Sequence, residues 1–148
     1  MPLNIRWRKL GQIYAPSGDG FFKTHTTRVV PYRRTDGTIR LYFASRGADD
    51  MPYLAYIDVD PDDPSRVLRA ATEPVVGLGR TGTFDDSGFA WQRRDDLAGI
   101  DRSAAGWDSE MVCYPAFYPH GERVYMFYSG NAVGKGGIGY AVTENFLT

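Results

Sequence analysis

Two short acidic strings, Asp85-Asp86 and Asp108-Ser109-Glu110, stand among glycines and aromatic residues rather than among lysines. An aromatic-lined pocket with a few carboxylates suits a sugar: the C–H faces of the sugar stack on rings, and a glycosidic bond is cleaved by a paired acid and base. Asp86 and Glu110 are therefore candidate catalytic acids, with Asp85 and Asp108 as candidate substrate contacts. The plainer alternative is that Asp85 and Asp86 cap a turn and Glu110 is solvated. Arg46 closes the string Phe43-Ala44-Ser45-Arg46, where the similar Phe127-Tyr128-Ser129-Gly130 carries glycine. A site-specific arginine can hold a carboxylate or a sugar hydroxyl; alternatively it pairs with Asp49 or Asp50 on the surface. His25, just ahead of a strand, is the further candidate for sugar contact.

Other chemistries find less support. Gly77-Leu78-Gly79-Arg80-Thr81-Gly82 satisfies G-x-G-x-x-G, but Thr83-Phe84-Asp85-Asp86-Ser87-Gly88 follows where dinucleotide binding needs an amphipathic helix. Gly134-Lys135-Gly136 lacks the spacing of a phosphate loop and reads as a hairpin turn. His25, His120 and Cys113 form no close pair at ligand spacing, so no metal is expected, and no cofactor. No G-x-S-x-G elbow occurs.

The elements that must position these residues repeat. Under one ungapped shift Pro31 falls on Pro115, Gly37 on Gly121, Tyr42-Phe43 on Met126-Phe127, Ser45 on Ser129, Tyr56 on Tyr140 and Asp60 on Glu144. The first copy reads as strands over residues 27–33, 38–46 and 53–59 with an outer strand over 66–71. Asp36-Gly37 makes the first turn, since glycine accepts the positive φ that a tight hairpin demands. The second copy reads as strands over 111–118, 123–129 and 137–143, and residues 5–10 are expected to supply its fourth strand. This gives an all-β chain built as a partial β-propeller: one domain over 1–148, with blade-like modules 24–72 and 107–144 and an irregular connector 73–106. The shift sets Thr24-His25-Thr26 against Asp108-Ser109-Glu110, at the entries to the innermost strands, which in a propeller ring the central funnel.

Composition fits this class. The chain has 148 residues, 14% aromatic, with 17 glycines, as short strands and tight turns require. A formal net charge of -1, with both signs interspersed, gives no footprint for nucleic acid or an anionic membrane. A single cysteine, and charges at Arg6 and Arg8 where a secretory leader is apolar, lead to the expectation of a cytoplasmic protein.

Several strings resemble a known group: Trp7-Arg8-Lys9-Leu10-Gly11, Thr24-His25, Leu41-Tyr42-Phe43-Ala44-Ser45-Arg46, Gly82-Thr83-Phe84-Asp85-Asp86-Ser87-Gly88 and Trp107-Asp108-Ser109-Glu110-Met111-Val112-Cys113-Tyr114-Pro115. Together they resemble the five-bladed β-propeller proteins of glycoside hydrolase families 43, 62, 32 and 68, in particular glycosidase-like bacterial members. The resemblance covers both ends of such proteins and lacks their middle, as if only the first and last blades were present. It implies a protein that acts on or binds a carbohydrate. Family hydrolases use a base, a second tuning aspartate and a general acid. Asp86 matches the second acid and Glu110 stands near the place of the third, but the first-blade entry carries Thr24-His25-Thr26 and no carboxylate. A non-catalytic carbohydrate-binding or oligomer-forming fragment is the alternative. Two blades leave sheet faces and edges uncovered, so a homo-oligomer is expected to complete a ring.

Overall fold

The computed structural model describes residues 6–75 and 99–143. Eight strands are formed there: β1 (Arg8–Tyr14), β2 (Thr24–Arg33), β3 (Ile39–Arg46), β4 (Pro52–Val59), β5 (Val67–Ala70), β6 (Cys113–His120), β7 (Arg123–Ser129) and β8 (Ile138–Thr143). They make two four-stranded antiparallel sheets, β2-β3-β4-β5 and β1-β8-β7-β6. A short 3-10 turn, Gly20–Phe22, precedes β2, and one helical turn, α1 (Asn131–Gly134), joins β7 to β8.

Alternation along β3 dictates the core. Ile39, Leu41 and Phe43 are at most 1% exposed and lie opposite Val59, Ile57 and Ala55, since successive side chains of a strand point to opposite faces. Tyr125, Phe127, Ile138, Tyr140 and Val142 of the second sheet join the same cluster. The two sheets therefore share one core. The Asp36-Gly37 turn forms as expected: Gly37 has φ 86°, its N–H donates to the Arg34 carbonyl at 3.1 Å, and Asp36 accepts from the Thr38 N–H and hydroxyl.

The N-terminal strand does complete the second sheet, antiparallel to β8, but it occupies Arg8–Tyr14 rather than residues 5–10. Its anchor is at the far end, where the Tyr14 ring packs on Phe22 and Phe43 and Ile13 lies against the core. The outer strand of the first sheet is shorter than expected, Val67–Ala70. Residues 73–75 and 99–106 of the connector form no strand, and 76–98 lie outside the described residues.

The internal match holds in the middle strand and slips on both sides of it. Tyr42 pairs with Tyr56, whereas Met126 pairs with Ala141 and Phe127 with Tyr140. One residue of slip reverses the face. Tyr140 is in the core at 5% exposure, while Tyr56 lies on the outer face beneath the Arg40 guanidinium, 3.6 Å from its ring centroid. In the first strands the slip is three residues: Pro31 pairs with Leu41, but Tyr118, not Pro115, pairs with the corresponding Tyr125. The shorter turn between His120 and Arg123 absorbs the difference.

Candidate functional site

β2 and β6, edge strands of the two sheets, start at the same end of the molecule. Thr26 of β2 is clamped between the sheets: its hydroxyl donates to the Gly134 carbonyl at 3.0 Å, and its carbonyl accepts from Ser129 Oγ at 2.7 Å. Ser129 in turn pairs with Cys113, the first residue of β6. Slightly further along, the Arg28 guanidinium lies 5.6 Å from the Tyr114 ring centroid. A bulge or irregularity interrupts the ladder at each entry, between Thr24 and Thr27 and again to Val30 in β2, and between Cys113 and Ala116 in β6.

At this end the backbone is held in conformations that residues other than glycine rarely adopt. Among the described residues, six such residues have positive φ: His25, Arg28, Asp50, Tyr114, Ala132 and Val133. Five belong to the two strand entries or to α1, whose Gly134 contacts Thr26; the sixth, Asp50, holds Arg46 through its carbonyl at 3.1 Å and its carboxylate at 3.0 Å. Each such residue costs about 1–3 kcal/mol, and such strain gathers at sites where a side chain must be aimed.

The expected site residues divide into three groups. His25 and Arg46 come together: Thr24 is hydrogen-bonded to His25 Nδ1 at 2.8 Å and is the cross-strand partner of Arg46. Partial burial, then the charges of Lys135 and Arg46, lower the His25 pKa, with Asp50 acting against them. Glu110 lies on the loop before β6 with an exposed side chain, while its N–H donates to Asn131 Oδ1 at 2.7 Å. Because Ser129 lies opposite Cys113, and Ser45 opposite the stretch 25–26, Cys113 rather than Ser109-Glu110 takes the place of His25-Thr26. Asp108 is 2% exposed and bonded to Lys9 Nζ at 2.7 Å and Tyr128 OH at 3.1 Å. Its carboxylate faces inward, where burial opposes ionisation but Lys9, Ser103 and Tyr128 prevail and lower its pKa. Asp85 and Asp86 lie outside the described residues.

Two features escaped sequence reasoning. Asn131 is a clamp: Oδ1 accepts from Glu110 and Met111, Nδ2 donates to the Gly106 carbonyl at 2.9 Å, and its own N–H donates to the Trp107 carbonyl at 2.8 Å. Its only signal was an asparagine after glycine in a turn. Beside Arg46, the β3–β4 turn and the 3-10 turn enclose an open hollow of about 240 Å³ lined by Gly20, Phe21, Gly47, Ala48, Asp49 and Tyr53. Tyr53 donates to Asp49 at 2.5 Å, and this bond, with the Met51 N–H, lowers the Asp49 pKa. The hollow thus offers two aromatic rings and a carboxylate. Among the described residues no group of three ligating side chains could hold a metal ion, and no helix is long and apolar enough to cross a membrane.

No protein-family model and no solved structure matches the chain. It is 28% identical over 142 residues to the uncharacterized protein Rv1502 of Mycobacterium tuberculosis (strain ATCC 25618 / H37Rv), across 95% of this chain and 37% of that protein. It is 40% identical over 112 residues to the uncharacterized protein MT1551 of Mycobacterium tuberculosis (strain CDC 1551 / Oshkosh), across 76% of this chain and 28% of that protein. The chain therefore spans about a third, 37% and 28%, of the curated relatives it matches.

Proposed function

We propose that this chain is a glycosidase-like propeller segment that binds a carbohydrate at the end where β2 and β6 begin. The observation that carries the reading is the gathering of left-handed residues around those two entries. Beside them Thr26 is held by Gly134 and Ser129, Arg46 is held by Asp50 across the ladder from Thr24, and the Tyr114 ring lies under Arg28. The neighbouring Phe21 and Tyr53 rings, with Asp49, supply the stacking surface and acceptor that a sugar uses. Two sheets side by side with their first strands starting together suit adjacent blades, and the greater length of the relatives leaves room for further ones. Hydrolysis needs a second carboxylate about 5 Å from Glu110 for retention, or about 6.5–9.5 Å for inversion; Asp86 is the candidate partner.

A glycan array and a chromogenic-glycoside screen, run on the wild type beside Glu110→Gln, test the reading. Binding without turnover, unchanged by the substitution, is the expected result. Turnover lost in Glu110→Gln would make the protein a hydrolase instead, and an array without any bound glycan would remove the carbohydrate reading altogether.

The oligomer-forming alternative draws on a different observation. The outer face of β2-β3-β4 exposes Val30 and Tyr32 at 58% each and Leu54 at 37%. On the outer face of the other sheet the two middle strands are covered by the chain itself, with Val124, Met126, Tyr128, Ala141 and Thr143 at most 5% exposed, while Phe117 of the edge strand β6 is 49% exposed. A second copy is the proposed cover for the open face.

A further inference from the structure

The entry to β2 gathers more positive charge than its own acids neutralise. Thr24 ties the His25 ring at Nδ1, 2.8 Å away, which leaves Nε2 as the ring's second polar atom. Arg46 stands across the ladder from Thr24. Lys135 follows Gly134, whose carbonyl is bonded to Thr26, the residue after His25. The acid facing this group is Asp50, 84% exposed, and it occupies one nitrogen of Arg46, Nη1. Lys135 is exposed and makes no ion pair among the described residues. Burial first, and then the nearby charges of Lys135 and Arg46, favour the neutral imidazole, against Asp50.

An exposed Lys135 beside an Arg46 held through Nη1 leaves N–H donors turned to solvent that an anion can engage. Asp50 fixes the guanidinium of Arg46, so less side-chain freedom is lost when its remaining N–H groups engage an oxyanion. Lys135 adds a mobile point charge, and His25 becomes a donor at both nitrogens once protonated. We propose that His25, Arg46 and Lys135 receive the carboxylate or phosphate of an acidic sugar, an inference that rests on the carbohydrate reading above.

The test follows the His25 imidazole by NMR while D-glucuronate, D-glucose or inorganic phosphate is added to the full chain. D-glucuronate is expected to shift the His25 signal saturably and to raise its titration midpoint, with D-glucose requiring about tenfold more ligand, the worth of one charge-assisted contact. Lys135→Ala should weaken D-glucuronate about tenfold, and Lys135→Arg should restore it. Equal response to D-glucose and D-glucuronate, or an unchanged affinity in Lys135→Ala, would overturn the acidic-sugar inference and leave carbohydrate binding standing. Inorganic phosphate binding as tightly as D-glucuronate would keep the anion site and sink the sugar. No saturable response to any of the three overturns the inference, and the glycan array then decides the broader reading by itself.

Discussion

Asp108 shows how a carboxylate set among aromatics can serve structure. The Trp107 ring stacks on Tyr128 at 5.2 Å, and beneath it Asp108 joins Lys9 of β1 to Tyr128 of β7. Burial and the Asp108 charge push the Tyr128 phenol well above its usual range, so it stays a donor. Asp108→Asn removes the charge but leaves Lys9, with a 23% exposed side chain, without its counter-ion. Because Lys9 keeps some contact with water, the cost is expected near the low end for a broken buried pair, about 3 kcal/mol. Urea denaturation at neutral pH measures it. The sign in acid follows from the lowered carboxyl pKa: the stabilisation is present above the ordinary carboxylate value of about 3.9 and is lost as pH falls through the lower folded value. Asp58 adds to the same loss. It is 2% exposed, burial opposes its ionisation, and Arg40 at 2.7 Å and Arg34 at 2.7 Å overcome that and lower its pKa. Stability should therefore fall steeply below about pH 4, and less steeply in Asp108→Asn; parallel acid limbs in the two proteins would refute the assignment. At the other entry, His25 should titrate below the ordinary histidine value, and Lys135→Ala should raise its midpoint.

Strands were legible where one face is buried and the other wet. Ile39, Leu41 and Phe43 alternate with Arg40, Tyr42 and Ala44, and Asp36-Gly37 announces the turn before them, so β3 and its hairpin stood out. The pairing of β1 with β8 was also legible from the need to complete a sheet. Register was not. All six residues of β8, Ile138 to Thr143, are buried, and a strand covered on both faces carries no alternation to fix its phase. The left-handed residues at the bulges, Arg28 and Tyr114, are types that give no hint of positive φ. The cover of β8 left a readable trace in Gly139, since glycine in a strand marks close approach. A Cβ on Gly139 would enter the six-membered ring of Trp107. Gly139→Ala is thus expected to cost about 1–3 kcal/mol by overpacking and to shift Trp107 fluorescence toward that of a solvated indole. An unchanged denaturation midpoint and spectrum would show that the ring does not rest there.

At the scale of the molecule the two sheets are alike in order but differ in how their outer faces are finished. Trp7, leading into the edge strand β1, stacks at 5.5 Å on Phe117 of the opposite edge strand β6, and so crosses the outer face of its sheet. Its N–H donates to the Gly99 carbonyl at 3.1 Å, and from there the chain runs on to Trp107, over Tyr128 and Gly139. The first sheet has no such finish among the described residues. Tyr42 and Tyr56, 6.3 Å apart, are flanked there by exposed Val30, Tyr32 and Leu54, with Arg40, Asp58 and Arg69 at one end. Exposed aromatic and aliphatic side chains in one patch are the usual mark of an interaction surface. If a second copy covers it, light scattering coupled to size exclusion should give a mass above 16.5 kDa at micromolar concentration. Tyr32→Lys combined with Leu54→Lys should return the mass to that of one chain while the far-UV circular dichroism of the β sheets is kept, because both side chains are at least a third exposed in the single chain. The wild type eluting as a stable monomer would remove the self-association reading, and an oligomer that survives the double substitution would move the interface to another face.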